Sequence, residues 1–218
     1  MEIKHLGEQN SVLNQFIAEI RDKEIQKDRI RFRRNLERIG EIFAYEISKT
    51  FRYVTRNVET PLGVKPMHLP EAQPVLATIL RAGLPLHNGL LNYFDNAGNA
   101  FISAYRKYDA SGHFDIHIEY ASSPDVDGKT LILSDPMMAT ASSMELTYRE
   151  ICRQGEPDHT HLVTIVASTK GIEVIKEHLN SENMTLWVGG IDEELSKKAY
   201  IIPGLGDAGD LAFGPKTD

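Results

Sequence analysis

Residues 131–144 read LILSDPMMATASSM. Leu131, Ile132 and Leu133 form an apolar run without polar alternation, the pattern of a strand covered on both faces. The run ends at the acid Asp135. The small and hydroxyl residues Ala139, Thr140, Ala141, Ser142 and Ser143 then lead into a helix expected over about 142–153 and closed by Gly155. A carboxylate there can accept the O–H groups of a sugar. N–H groups at a helix start, helped by the helix dipole, can cradle a phosphate.

The texture repeats on both sides of this stretch. "PVLATIL" (74–80) is another continuous apolar run, followed by a helix at "PLHNGLLNYF" with Pro85 in its first turn. "NAFISAY" (99–105) is strand-like. "HFDIHIEYASS" (113–123) alternates apolar and polar residues as a half-solvated antiparallel arm does. A strand at 162–167, a helix carrying Ile172, Ile175 and Leu179, and the strand "TLWVGG" complete the series. Strands alternating with short helices imply right-handed crossovers and an α/β fold with a doubly wound, mostly parallel sheet.

Before this series, Val12, Leu13, Phe16, Ile17 and Ile20 share a helical face behind a Ser11 cap. A longer helix follows from about Asp28 to Thr50, and "YVTRNVETPLGVKPM" turns at Pro61-Leu62-Gly63 as a hairpin. With no repeat or linker in view, residues 1–218 are expected to form a single domain, with 1–50 as a helical N-terminal addition.

Composition narrows the class. The 218 residues are 41% hydrophobic and 25% charged, as in an ordinary globular protein. Cys152 is the only cysteine, so no internal disulfide can form and a cytoplasmic location is expected. The first ten residues lack the apolar core of a signal peptide, and no apolar run approaches the ~20 residues of a membrane helix. The net charge of −7 argues against a general nucleic-acid binder, which needs a basic face. A few local arginines and helix N-termini can still bind a small anion.

In a doubly wound sheet, ligands bind beyond the carboxyl ends of the strands. The strand at 75–80 ends in Arg81-Ala82-Gly83, that at 100–104 in Tyr105-Arg106-Lys107, and that at 131–134 in Asp135 and its loop. The segment "YIIPGLGDAGDLAFG" (200–214) holds four glycines and two aspartates, more backbone freedom than a plain connection needs. Two arginines and a phosphate-shaped loop point to a polyanionic ligand.

Other features have simpler readings. Ser142 and Glu145 have the spacing of a capping box. His113 and His117 would share a strand face about 13 Å apart, too far for one ion. Asp158-His159-Thr160-His161 reads as a solvated loop, and the basic stretch from Lys23 to Arg34 as a solvated face.

On these residues the chain resembles the uracil phosphoribosyltransferases. The matching stretches are "RFRRNLERIGEIFAYE", "ILRAGLPLHNGLL", "YRK", "LILSDPMMATASS" and "YIIPGLGDAGDLAFG", in family order over nearly the whole chain. The last is the most specific. The resemblance implies a type I phosphoribosyltransferase fold and transfer of a phosphoribosyl group from phosphoribosyl pyrophosphate to uracil, giving UMP and pyrophosphate. It places Arg81, Arg106 and Asp207 at the donor. It assigns Asp135, Pro136, Met137, Met138, Ala139, Thr140, Ala141, Ser142 and Ser143 to the ribose-5-phosphate loop, with Asp135 on the hydroxyls. It gives Ile201, Gly206, Asp207 and Ala208 to uracil, largely through main chain, and makes Arg106 and Asp207 the catalytic candidates. Mg²⁺ carried by the substrate pyrophosphate, with no direct protein ligand, is the implied cofactor. GTP binding and a homodimer or higher homo-oligomer are also implied, with no nucleic acid or membrane as partner.

The chain departs from the family in its loop, which usually has glycines where Ala141 and Ser142 stand. A Cβ at either position restricts positive φ. Glu145 would add a negative charge near the phosphate, and Leu211 stands where a basic residue is common. The alternative from another class is a catalytically weak regulator of the same fold that binds nucleotide or RNA.

Overall fold

The computed structural model describes residues 1–108, 114–179 and 181–216, the side chains of 105–108, 114–117 and 154 excepted. The chain enters through β1 (Glu2–His5) and forms α1 (Val12–Arg21) and α2 (Arg29–Ser48). The Ser11 hydroxyl accepts the Leu13 N–H at 3.2 Å, and the Asp28 carboxylate accepts the N–H groups of Ile30 and Arg31 at 3.0 and 3.1 Å. α1 thus starts on the Ser11 cap that the sequence indicates, and α2 starts at Asp28, where the longer helix is expected to begin, with that residue as its cap. The apolar face of α2 buries Phe32, Leu36, Ile39, Phe43 and Ile47 completely or nearly so.

A hairpin of β2 (Tyr53–Thr60) and β3 (Gly63–Pro70) follows as a separate two-stranded sheet, exposed over almost its whole length. Then come β4 (Val75–Leu80), α3 (Leu84–Leu91), β5 (Gly98–Tyr108), β6 (Phe114–Ser122), β7 (Thr130–Ser134), β8 (Met137–Met138), α4 (Ser142–Ile151), β9 (His159–Ser168), α5 (Thr169–His178), β10 (Met184–Asp192), β11 (Glu194–Leu195), β12 (Ile201–Ile202) and α6 (Ala208–Phe213). The main sheet runs in the order β1-β10-β9-β7-β4-β5-β6, with β8 paired to β9. Its pairings are parallel except for β5 with β6.

The unbroken apolar runs are explained by burial on both faces. Ile132 joins Leu36, Ile39 and Phe43 in one core cluster, while Leu131 and Leu133 pack with Met144, Ile151, Ile172 and Ile175 in the other. Each such side chain contributes about 1.5–3 kcal/mol. Several elements differ from the sequence expectation, β1 and β5 among them. β1 adds a parallel edge strand beside β10, from a short polar-alternating stretch with no apolar run. β5 does not stop at residue 104 but continues through Tyr108 as an antiparallel ladder with β6, with an irregularity between Ser103 and Ala104. Among the described residues no helix is long and apolar enough to cross a membrane.

Candidate active site

The loop after β7 is fastened from below by β9. Asp135 donates its N–H to Val163 O at 3.0 Å, Pro136 O accepts from Ile165 and Val166, and Ser168 Oγ donates to Ala139 O at 2.5 Å. Asp135 Oδ1 accepts the Met137 N–H at 3.1 Å, closing a tight turn at the strand's end. Asp135, Thr140, Ala141 and Ser143 then line one small cavity.

The helix that follows begins differently from the sequence expectation. Its cap is Ala141, buried and left-handed at φ 64°, ψ −6°, and the capping box is not formed. Ser142 is already helical, and its hydroxyl lies 3.1 Å from that of Thr140. Ala141 O accepts the Glu145 N–H at 2.9 Å. The first N–H groups of α4 therefore have no acceptor within the helix and open at the strand end, the arrangement that suits an anion. Of the two positions where a Cβ restricts positive φ, only Ala141 occupies that region.

Glu145 turns away from the loop. Its carboxylate takes Arg149 Nε at 3.0 Å and His178 Nδ1 at 2.8 Å. Burial alone would raise its pKa, but the hydrogen bonds from His178 and Arg149 outweigh it and hold the carboxyl below the usual range. Its charge is thereby paired with Arg149, one turn further along α4.

The second half of the site is assembled across the chain. β4 and β7 are neighbours, with Thr78 Oγ1 donating to Ser134 O at 3.2 Å, so Arg81 and Asp135 leave the same sheet edge on adjacent strands. The Arg81 guanidinium reaches α6, with Nη2 at 3.1 Å from Asp210 Oδ1 and 3.3 Å from Gly214 O. Asp207 caps α6 through Oδ1, which accepts the Asp210 N–H at 3.0 Å. Ile201 and Ala208 are buried, and Gly206 has φ +97°. The structure thus brings Arg81 against the segment holding Asp207 and Ala208. The Arg106 backbone pairs with Ile116 on the β5–β6 arm, whereas its side chain lies outside the described residues.

A family model described as uracil phosphoribosyltransferase matches residues 8–215. The chain belongs to the uracil phosphoribosyltransferase family. A Porphyromonas gingivalis protein of that name is 54% identical over 216 residues, covering 99% of this chain and all of the relative. A Pyrococcus furiosus protein of the same name is 36% identical over 212 residues, covering 95% of this chain and 88% of the relative. Among solved structures, a protein from Aquifex aeolicus matches with a TM-score of 0.85 at 29% identity, covering 97% of this chain and 98% of that one. A Trypanosoma brucei adenine phosphoribosyltransferase shares the fold at a TM-score of 0.55 and 12% identity, covering 89% and 86% of the two chains.

In this family member several positions take parts that the sequence did not reveal. Arg21 forms a fork with Asp192, at 2.7 and 3.1 Å, and Arg33 donates to Ala212 O at 2.6 Å. Arg31 pairs with the buried Glu19, whose pKa its hydrogen bonds, with that of Asn35, bring down to about 2. The basic stretch is therefore partly structural, where a solvated face was expected. No local pattern signals contacts made across 171 positions, as between Arg21 and Asp192.

The expected loop at Asp158-His159-Thr160-His161 is also corrected, because β9 begins at His159. His161 is buried and accepts the Trp187 Nε1–H at 3.0 Å, while its ring lies 4.6 Å from that of His159. His113 and the His117 side chain lie outside the described residues. Among the described residues no three His, Cys, Asp or Glu converge as a metal cage.

Proposed function

We infer that this enzyme transfers the phosphoribosyl group of phosphoribosyl pyrophosphate to N1 of uracil, releasing pyrophosphate and forming UMP. The observation that carries the reading is the left-handed turn at Ala141, which opens the α4 N-terminus directly behind Asp135 at the end of β7. In this reading the loop from Pro136 to Ser143 holds the 5′-phosphate with backbone N–H groups and the Thr140, Ser142 and Ser143 hydroxyls. Asp135 accepts the ribose O–H groups. Arg81 and Arg106 meet the pyrophosphate. Ile201, Gly206, Asp207 and Ala208 hold uracil, mostly through main-chain groups whose donors and acceptors match those of the pyrimidine.

Such a site does little covalent work. The C1–pyrophosphate bond breaks, an oxocarbenium-like ribose forms, and uracil N1 bonds to C1 as its proton leaves. The protein's part is to hold the reactants in line and stabilise the leaving charge. Phosphoribosyltransferases of this fold generally use Mg²⁺ with the donor. Mg²⁺ keeps several of its waters when it binds substrate phosphates. Asp135 and Asp207 are acids that would accept hydrogen bonds from those waters, so the residues fit an ion carried by the pyrophosphate with no direct protein ligand. When bound, it would neutralise charge on the departing pyrophosphate.

The rival reading, a weak nucleotide- or RNA-binding regulator, is not favoured by the relatives' names or by the retained Arg81 and Asp207. We further propose that residues 1–218 form one domain and that the enzyme is a cytoplasmic homo-oligomer. The exposed hairpin supports oligomerisation, since Leu62 is fully exposed and Val64, Met67 and Val58 are exposed beside it. The deciding assay supplies labelled uracil, phosphoribosyl pyrophosphate and Mg²⁺ and follows UMP. Uracil should be the acceptor in preference to hypoxanthine, guanine or orotate, and a better rate with any of these would overturn the assignment of the base site.

A further inference from the structure

We propose that Arg21 and Asp192 are positioning residues for base recognition, fixing the Gly204 peptide and thereby the segment 201–208. The inference rests on the assignment of that segment to uracil.

Arg21 ends α1 and Asp192 ends β10, so the two come from opposite ends of the chain. Their fork-to-carboxylate pair is mostly buried, with side-chain exposures of 22% and 9%. Both partners also bind the same third residue. Arg21 Nη1 donates to Gly204 O at 3.1 Å, and Gly204 donates its N–H to Asp192 Oδ2 at 2.9 Å. Gly204 has φ +56°, and a Cβ there would lie 2.2 Å from Ile201 O, so the turn admits only glycine. Gly190 leaves room for the guanidinium, because a Cβ there would lie 2.8 Å from Nη2.

One residue thus has both its donor and its acceptor fixed by a single ion pair. A buried ion pair is not the least costly way to join a helix to a strand, since its desolvation offsets much of its attraction. What it provides here is direction. Gly204 lies between Ile201 and Gly206, and the contacts assigned to uracil are main-chain groups that no side-chain rotation can correct. A shift of the Gly204 peptide would move those donors and acceptors together. If the pair only tied α1 to β10, its loss would change stability and leave substrate discrimination untouched.

The test uses the full chain, with steady-state kinetics for each substrate and hydrogen exchange of the 200–208 segment with and without UMP. In the unaltered enzyme UMP should slow exchange at 201–208. Asp192→Asn should speed exchange of that segment in the free protein. It should also raise the uracil KM by about tenfold or more, as misplacement of a binding group does. The donor KM should stay within about twofold. Arg21→Lys keeps the charge and loses the fork, so it should give a smaller rise of the same kind. It carries the test if Asp192→Asn does not fold. An unchanged uracil KM, or equal rises for both substrates, would overturn the positioning role alone. Failure of UMP to protect 201–208 in the unaltered enzyme would remove the base assignment, and this inference with it.

Discussion

Arg81 Nη2 lies 3.1 Å from Asp210 Oδ1, joining the end of β4 to α6 across a pair whose side chains are 40% and 39% exposed. A pair so open to water contributes about 0–1 kcal/mol. It is strong enough to orient the guanidinium and weak enough for a pyrophosphate, with more charge and more acceptor oxygens, to displace the carboxylate. Arg81 is thus presented at the strand end without being committed to α6.

Removing the competing carboxylate should help the donor. Asp210→Asn is expected to lower the KM for phosphoribosyl pyrophosphate by up to about fivefold, the factor equivalent to the ion pair it removes. Arg81→Ala should raise it. Initial rates at varied donor check both, and a higher donor KM in Asp210→Asn would place that carboxylate among the binding groups instead.

Arg106 tests the other proposed donor contact. Arg106→Ala should reduce kcat/KM by ~10²-fold or more, through loss of a positive charge from the leaving pyrophosphate. The thermal melting curve should stay where it is. Unaltered kinetics would take Arg106 out of the site.

A pH dependence follows from His161. Burial, with His159 as a lesser cause, pushes its pKa down to about 3 from 6.5. Below pH 6.5 the unfolded chain binds a proton there that the folded chain refuses. Stability is therefore full above pH 6.5 and falls as pH drops toward 3, by up to ~1.4 kcal/mol per pH unit. His87 and His159, also lowered by burial, act in the same direction. His161→Gln keeps an acceptor for the Trp187 N–H and removes the titration. Its melting temperature should fall less between pH 6.5 and pH 5 than that of the unaltered protein, and equal slopes would refute this account.

The parts of the fold that could be read from the sequence are those in which one local pattern decides the outcome. Unbroken apolar runs gave β4 and β7, and Ser11 and Asp28 marked their helix starts. β1 escaped because a four-residue edge strand needs no apolar run, only the free edge of β10. The histidines of β9 look hydrophilic in sequence, yet His161 is satisfied by an indole 26 positions away. The Arg21–Asp192 fork is similarly non-local. The capping box failed by one position, because its spacing requires Ser142 to be the cap, and Ala141 took that place in the left-handed region.

That one-position difference separates two substitutions that the sequence would treat alike. Ala141 holds φ 64° with its Cβ, a conformation costing roughly 1–2 kcal/mol for a residue other than glycine. Ala141→Gly removes that cost, and the added freedom of the unfolded chain returns about 0.5–1 kcal/mol against it. The net effect on stability should be neutral to slightly favourable. The flatter backbone should let phosphate approach the α4 N–H groups more closely, lowering the donor KM. Ser142 is helical, and its hydroxyl meets Thr140 Oγ1 at 3.1 Å. Ser142→Gly should therefore lose about 0.5–1 kcal/mol of helix stability and leave the donor KM no better. Melting curves and donor titrations of the two single variants decide the matter. If Ala141→Gly binds the donor no more tightly, the alanine at the turn is already a competent phosphate cradle. If Ser142→Gly gains affinity instead, crowding at the first helical residue is the obstacle, and the left-handed turn is not.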